Sequence, residues 1–299
     1  MKKKIAISIG DLNGVGVEIA LKSHNEIKKY INPIYCINKE MLNQASNLLN
    51  IPIPDDFEIY PTFGKFKIKI GEVDSSAGLY SFNSFIDAIN LVKKKKADGV
   101  VTLPINKEAW SKAKIKYHGH TEVLRDIFQK EAIMMLGCSD MYVALFTEHI
   151  PLKEVYKKVK KENLVKFFID FYNSTKFENI NVLALNPHGG DGGILGDEEI
   201  KEIIPAVDEV NSILGKNIFS YPLVPDTAFI SKKGVFIAMY HDQGLIPLKA
   251  LYFDKSINVS LNLPIIRTSP DHGTAFDIAY QNKAKINSYL EAVKYHLNF

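Results

Sequence analysis

Residues 234–244 read GVFIAMYHDQG. Val235 to Tyr240 is a run of apolar, small and aromatic residues with no polar alternation. A strand reads this way when helices cover both of its faces. The run then meets His241, Asp242 and Gln243, and Gly244 is expected to break the chain directly after them. An imidazole and a carboxylate placed just past a buried strand suggest a site at the strand's carboxyl end, the edge at which open parallel sheets bind ligands.

The same alternation of short apolar runs with amphipathic stretches fills the rest of the chain. It predicts an α/β protein with mostly parallel sheets and helices on both faces. Strands are expected at Ile5–Ile9, Ile34–Ile37, Gly99–Leu103, Tyr142–Phe146, Val182–Leu185 and Val235–Met239. Helices are expected at 15–23, 40–49, 80–95, 121–129, 162–173, 197–214 and 285–296. Segment 52–76, with its FKIKI alternation, is expected to be a small antiparallel excursion. A chain of 299 residues suits two domains. The expected division is 1–117 plus 268–299 as a cofactor-side domain, and 118–267 as a metal, substrate and dimerisation domain.

Composition excludes several classes. Hydrophobic residues make up 46% and charged residues 24%, ordinary values for a globular protein, and the net charge is only +3. No Arg-rich or aromatic-interleaved stretch points to nucleic acid. The run Lys93–Lys96 closes a helical pattern and reads as a solvated helix end. The start MKKKIAISIG has a basic opening, but its apolar part stops at Gly10, short of an export signal. No run of about 18 apolar residues exists to span a membrane. Cys36 and Cys138 have neither metal spacing nor a pairing pattern and read as core. A cytoplasmic setting is expected.

Two further histidines share the position of His241. His149 in FTEHIPL follows the strand Tyr142–Phe146, and His188 in ALNPHGGDGG follows Val182–Leu185. Neutral imidazoles are the commonest ligands for borderline divalent ions, and three of them leave coordination positions open for substrate. The bland alternative is that each caps a strand. Three together, each followed by a Gly- or Pro-bearing turn, favour the metal reading. His120 and His272 also sit in polar, Gly-bearing turns, His118 lies in a loop, and His24 and His296 are expected on helix surfaces.

Other stretches carry groups for anions. Lys249 and Arg267 suit a phosphate or carboxylate, and Asn258 lies between them. GHTE, residues 119–122, reads as a turn into a helix with Thr121 as N-cap or anion ligand. GDLNGVG, residues 10–16, opens a helix after the first strand; it is neither a dinucleotide fingerprint nor a phosphate loop, and an ordinary tight turn is as good a reading. SPDHGTAFDIA, residues 269–279, reads as a polar turn before a helix.

In order along the chain, ISIGDLNGVGVEI, TLPINKEAW, GHTE, MMLGCSD, ALFTEHIPL, LALNPHGGDGGILGDEEI, PLVPDTAF, AMYHDQGLIPLK and INVSLNLPIIRTSPDHGTAFDIA resemble the 4-hydroxythreonine-4-phosphate dehydrogenase family of vitamin B6 biosynthesis. The resemblance covers nearly the whole chain and is poorest over residues 40–80. It implies the isocitrate/isopropylmalate dehydrogenase-like fold of two α/β domains with the active site in the cleft, and a homodimer with metal ligands drawn from both subunits. It implies that His149, His188 and His241 bind a divalent metal, usually zinc, with magnesium or cobalt as alternatives. His120, Thr121, Lys249, Asn258 and Arg267 would contact a small phosphorylated substrate. Asp226 and Asp242 would stand beside these groups. Asp271, His272, Gly273 and Thr274 resemble the cofactor-binding turn of isopropylmalate dehydrogenases and would meet NAD or NADP. Leu12-Asn13 and Leu103 depart from the residues common in the family.

The implied reaction oxidises 4-phosphooxy-L-threonine to a 2-amino-3-oxo acid, which decarboxylates to 3-amino-2-oxopropyl phosphate. Lys107, Asp242 and a metal-bound hydroxide are all open as the general base. Competing readings are a dehydrogenase of a phosphorylated sugar acid such as threonate or erythronate phosphate, a three-histidine hydrolase without nucleotide, and an inactive binding protein.

Overall fold

A computed structural model describes residues 2–298. The chain opens with strand β1 (Lys4–Ser8), helix α1 (Gly16–Ile27), β2 (Asn32–Cys36), α2 (Lys39–Leu49), β3 (Ile59–Tyr60), α3 (Ser75–Lys93), β4 (Gly99–Thr102), α4 (Lys107–Lys112) and α5 (His120–Phe128). It continues through β5 (Ile133–Cys138), β6 (Met141–Leu145), α6 (Leu152–Lys158), α7 (Lys161–Thr175), β7 (Ile180–Val182), α8 (Ile204–Leu214), α9 (Pro225–Ala228), β8 (Gly234–Ala238) and α10 (His241–Tyr252). It ends with β9 (Ile257–Leu261), β10 (Arg267–Pro270) and α11 (Asn287–Tyr295).

Two compact units result, one comprising residues 1–130, 257–259 and 263–299, the other 131–256 and 260–262. Residues 118–130, 257–259 and 263–267, expected in the metal, substrate and dimerisation half, fall in the first unit. Residues 118–130 pack there because Val123 and Leu124 of α5 join its core beside Phe85, Trp110 and Val100. In that unit β3, β2, β1, β4 and β10 lie side by side in that order, all parallel. The second unit orders its strands β5, β6, β8, β7, with β5 antiparallel to β6 and the rest parallel. Its core gathers Leu136, Val143, Leu145, Phe236, Ala238, Leu245 and Leu248. The α/β architecture is therefore the expected one, and Cys36 and Cys138 are buried free thiols as read.

Local chemistry explains the helix starts. Asn38 accepts a hydrogen bond from Met41 N before α2, Asp74 accepts from Ser76 N and Ala77 N before α3, and Asn106 accepts from Ala109 N before α4. Four expectations need correction. Segment 52–76 makes no antiparallel excursion; its one strand, β3, runs parallel to β2. The turn 269–275 leads only to a single 3₁₀ turn, Phe276–Ile278. His24 and His296 are buried at 1% exposure. His24 bonds the buried Tyr35 Oη and the exposed Asp56 Oδ1, and His296 bonds the Thr268 hydroxyl, so both buried rings have polar partners.

The stretch 234–244 also differs from expectation at its end. Gly244 breaks nothing; it lies in the first turn of α10. A Cβ there would stand 2.4 Å from Val143 Cγ1 and 2.9 Å from Ala238 Cβ. The residue is glycine so that α10 can press against β6 and β8, with Leu245 and Leu248 buried behind it. No helix among the described residues is long and apolar enough to cross a membrane.

Candidate active site

In the second unit, β6, β8 and β7 are neighbouring parallel strands, so their carboxyl ends share one edge. His149, His188 and His241 follow those three ends. Two side chains tie the ends together. Gln243 accepts from Met239 N through Oε1 and donates to Ala184 O through Nε2, at 2.8 and 2.7 Å. Thr147 donates its hydroxyl to Met239 O at 2.6 Å, two residues before His149. The His149 and His241 rings consequently stand 5.5 Å apart between centroids. His241 Nδ1 donates to Asp242 Oδ1 at 2.7 Å, which leaves Nε2 as its outward nitrogen.

His188 occupies a turn of left-handed residues, His188 through Gly192 all having positive φ. Glu199, only 2% exposed, anchors the base of that turn. Its Oε1 accepts from Leu185 N and Asn186 N at 2.7 and 2.8 Å, and its Oε2 accepts from Asn186 Nδ2 at 2.9 Å. His188 itself is exposed. Among the described residues no group of three or more His, Cys, Asp or Glu side chains is gathered so as to hold a metal ion. The single chain thus brings His149 and His241 together and keeps His188 on the same edge in its own turn. Lys249, two turns along α10 from His241, lies with its ammonium 5.9 Å from the centre of the Phe253 ring. Asp226 is exposed in α9.

In the first unit Arg267 and His120 meet in the interior. Arg267 is 3% exposed. Its Nε and Nη2 donate to Thr102 Oγ1 at 3.1 and 2.6 Å, and Nη2 reaches His120 Nδ1 at 3.1 Å. Burial brings the guanidinium down to about 9, so it stays charged at neutral pH. Burial and then the Arg267 cation hold the His120 imidazole well below its usual range, so it stays neutral. The His120 ring meets Phe85 and Trp110 edge-on, at 4.5 and 5.6 Å between centroids. Its Nε2 is buried with no hydrogen-bond partner, and so is Asn258 Oδ1. Thr121 is the second residue of α5, and Gly119 takes the N-cap place the sequence offered to Thr121. Lys107 opens α4, and its Cε would lie 3.9 Å from a Cβ on Gly119.

The turn 271–274 lies against the first glycine loop. Thr274 O accepts from Val15 N at 3.0 Å, and a Cβ on Gly14 would stand 2.7 Å from the same oxygen. Residues 11–20 are buried throughout, so the GDLNGVG glycines serve close packing of main chain on main chain. Gly273, by contrast, has open space around it. His272 Nδ1 donates to Gly273 O at 3.0 Å, and Asp271 N donates to Ser288 Oγ at 3.1 Å, which stiffens the turn. Asp11 is fully buried, and burial raises its carboxyl to about 6 against the pull of the Asn13 N–H.

The family model described as pyridoxal phosphate biosynthetic protein PdxA matches residues 29–296. The chain belongs to the PdxA family. It is 60% identical over 297 residues to a 4-hydroxythreonine-4-phosphate dehydrogenase of Sulfurimonas denitrificans, covering 98% of this chain and 96% of that protein. A protein of the same name from Campylobacter fetus is 56% identical over 296 residues, covering 98% and 96%. The crystal structure of a 4-hydroxythreonine-4-phosphate dehydrogenase from Klebsiella pneumoniae superposes with a TM-score of 0.85 at 31% identity, covering 100% of this chain and 98% of that one.

The sequence singles out these histidines and basic residues but not the groups that hold them in place. Thr102, Thr147, Glu199 and Gln243 are ordinary residues in their stretches, and their partners lie from 13 to 165 positions away, save Met239, four residues before Gln243. Only Gln243, adjacent to His241 and Asp242, carried a signal that proximity could have raised.

Proposed function

We propose that this PdxA-family chain oxidises 4-phosphooxy-L-threonine with NAD⁺, or NADP⁺, in pyridoxal phosphate biosynthesis. Hydride leaves the carbon bearing the secondary alcohol for the nicotinamide, and the hydroxyl proton passes to a base. The resulting 2-amino-3-oxo acid is a β-keto acid; it loses CO₂ and takes up a proton to give 3-amino-2-oxopropyl phosphate. The observation that carries this reading is 60% identity over nearly the full chain to a protein bearing that activity's name.

The residues supply what the reaction asks of a protein. In the first unit Arg267, charged and held by Thr102, and His120 bind the phosphate or carboxylate of the substrate and fix its orientation; in the second unit Lys249 offers a further cation for an anionic group of the substrate. Thr121 and Asn258 complete the polar lining. The open backbone at Gly273, stiffened by Asp271 and His272 and braced at Thr274, would hold the nucleotide cofactor, which would supply the hydride acceptor. Lys107, beside Gly119, and Asp242, bonded to His241, are the two side chains offered as the proton acceptor.

His149, His188 and His241 would hold a divalent metal, zinc first, with magnesium or cobalt as alternatives. The donor set fits such an ion: imidazole nitrogens at one sheet edge, His149 and His241 in ring contact, and a carboxylate orienting His241. When bound, the ion supplies Lewis acidity at the substrate hydroxyl and at the carbonyl oxygen that follows. The ligands would come from both subunits of a homodimer.

Following NADH absorbance with 4-phosphooxy-L-threonine tests the reading. Formation of NADH that a chelator abolishes and added metal restores is the expected result. A protein that reduces neither NAD⁺ nor NADP⁺ with this substrate, yet does so with erythronate or threonate phosphate, would overturn it.

A further inference from the structure

Strand register brings Thr102 to Arg267. β10 runs parallel to β4 with Arg267 opposite Val100, and residues two apart on a strand face the same side, so Thr102 stands next along that face. The Arg267 side chain reaches along β4 to it. Two neighbouring nitrogens of one planar guanidinium, Nε and Nη2, donate to the same Thr102 oxygen. Held at two points, the plane cannot turn about its last bond, and the direction of Nη2 is set. It is aimed at His120 Nδ1, 3.1 Å away.

Guanidinium nitrogens donate and never accept. Nδ1 of His120 must therefore present its lone pair, which puts the proton of the neutral ring on Nε2. That nitrogen is buried and has no partner among the described residues, while the Phe85 and Trp110 rings keep the imidazole from swinging away. Buried N–H groups without an acceptor are rare in folded proteins, and one at a ligand site is a donor waiting for a ligand oxygen.

We propose that Thr102 is a positioning residue: by fixing the Arg267 guanidinium it locks His120 in the Nε2–H form, as a donor to an anionic oxygen of the substrate. The substrate part of this inference rests on the reading given above; the tautomer part does not. Arg267 and His120 act as a pair whose geometry Thr102 determines.

Nitrogen-15 NMR of histidine-labelled, full-length protein tests it, with His120→Asn used to assign the His120 signals. The wild type is expected to show His120 as a neutral ring protonated at Nε2, and addition of 4-phosphooxy-L-threonine without NAD⁺ is expected to shift that nitrogen. Thr102→Val should mix the two tautomers and raise KM about 10-fold or more with a smaller change in kcat, the loss expected for a misaimed charged donor. Thr102→Ser, which restores the hydroxyl, should recover both. A wild-type His120 protonated at Nδ1, or on both nitrogens at neutral pH, would overturn the proposal. So would an Nε2 signal that ignores a substrate the enzyme turns over, or a Thr102→Val protein with wild-type tautomer and KM. Absence of turnover by the wild type, with the tautomer as assigned, would count against the substrate reading instead.

Discussion

His241 Nδ1 lies 2.7 Å from Oδ1 of its neighbour Asp242. A carboxylate can only accept, so Nδ1 carries the proton and Nε2 the lone pair, which is the form a metal ligand requires. Asp242→Asn keeps the shape but weakens the acceptor. Metal affinity, measured by competition with a chromogenic chelator, should fall about 10- to 100-fold, the usual effect of losing the group behind a histidine ligand. Unchanged affinity with lost turnover would instead make Asp242 the proton acceptor and free Lys107 of that role.

Gly244→Ala places a methyl group against Val143 and Ala238 at distances no real Cβ tolerates. Overpacking of this kind costs about 1–3 kcal/mol. Urea denaturation should show that loss, and Val143→Ala in the same chain should return part of it by opening the space. If Gly244→Ala alone is as stable as the wild type, α10 does not pack as described.

Glu199→Gln tests the anchor under His188. The glutamine oxygen can still accept from Leu185 N and Asn186 N, but its amide would face Asn186 Nδ2, donor against donor. The cost is about 1–3 kcal/mol for a buried group left unsatisfied. Hydrogen exchange in residues 185–193 should accelerate while the strands of the first unit stay protected. Uniform acceleration across the chain would mean that Glu199 supports the whole unit and not this turn.

Asp11 gives a signature in pH. Its carboxyl titrates near 6 in the folded chain and at 3.8 ordinarily, with burial as the main cause. Below 3.8 both states hold the proton and nothing is lost. As pH rises from 3.8 to 6 the unfolded chain releases it first, and folding loses stability, up to about 3 kcal/mol above pH 6. Asp11→Asn should therefore match the wild type near pH 3.5 and exceed it by about 1–3 kcal/mol at pH 7.5, measured by urea melts at each pH. A difference that does not vary with pH would contradict the buried carboxyl.

How much of this was legible from residue order can be judged element by element. Apolar runs long enough to be buried on both faces announced β1, β2, β4, β6, β7 and β8, each within a few residues of its place. The histidines after β6, β7 and β8 were legible for the same reason, since a parallel strand's last residues must come out at the shared edge. By contrast β10 reads Arg-Thr-Ser-Pro, with no strand signal, and is buried all the same because it pairs with β4 and offers its arginine to Thr102. Helix α10, with Gly244 and Pro247 inside it, runs against local propensity and is held by its packing on β6 and β8.

The residue order alone determined the alternation of strands and helices and the kinds of side chain placed at strand ends, because both follow from periodicity and burial within a few neighbours. Which distant groups meet was decided only by the tertiary structure. Thr102 reaches Arg267 across a strand pair, Glu199 reaches back to Asn186, and Gln243 bridges two strand ends. Hydrogen bonds of that kind depend on register and packing between segments far apart in the chain, and no local pattern encodes them.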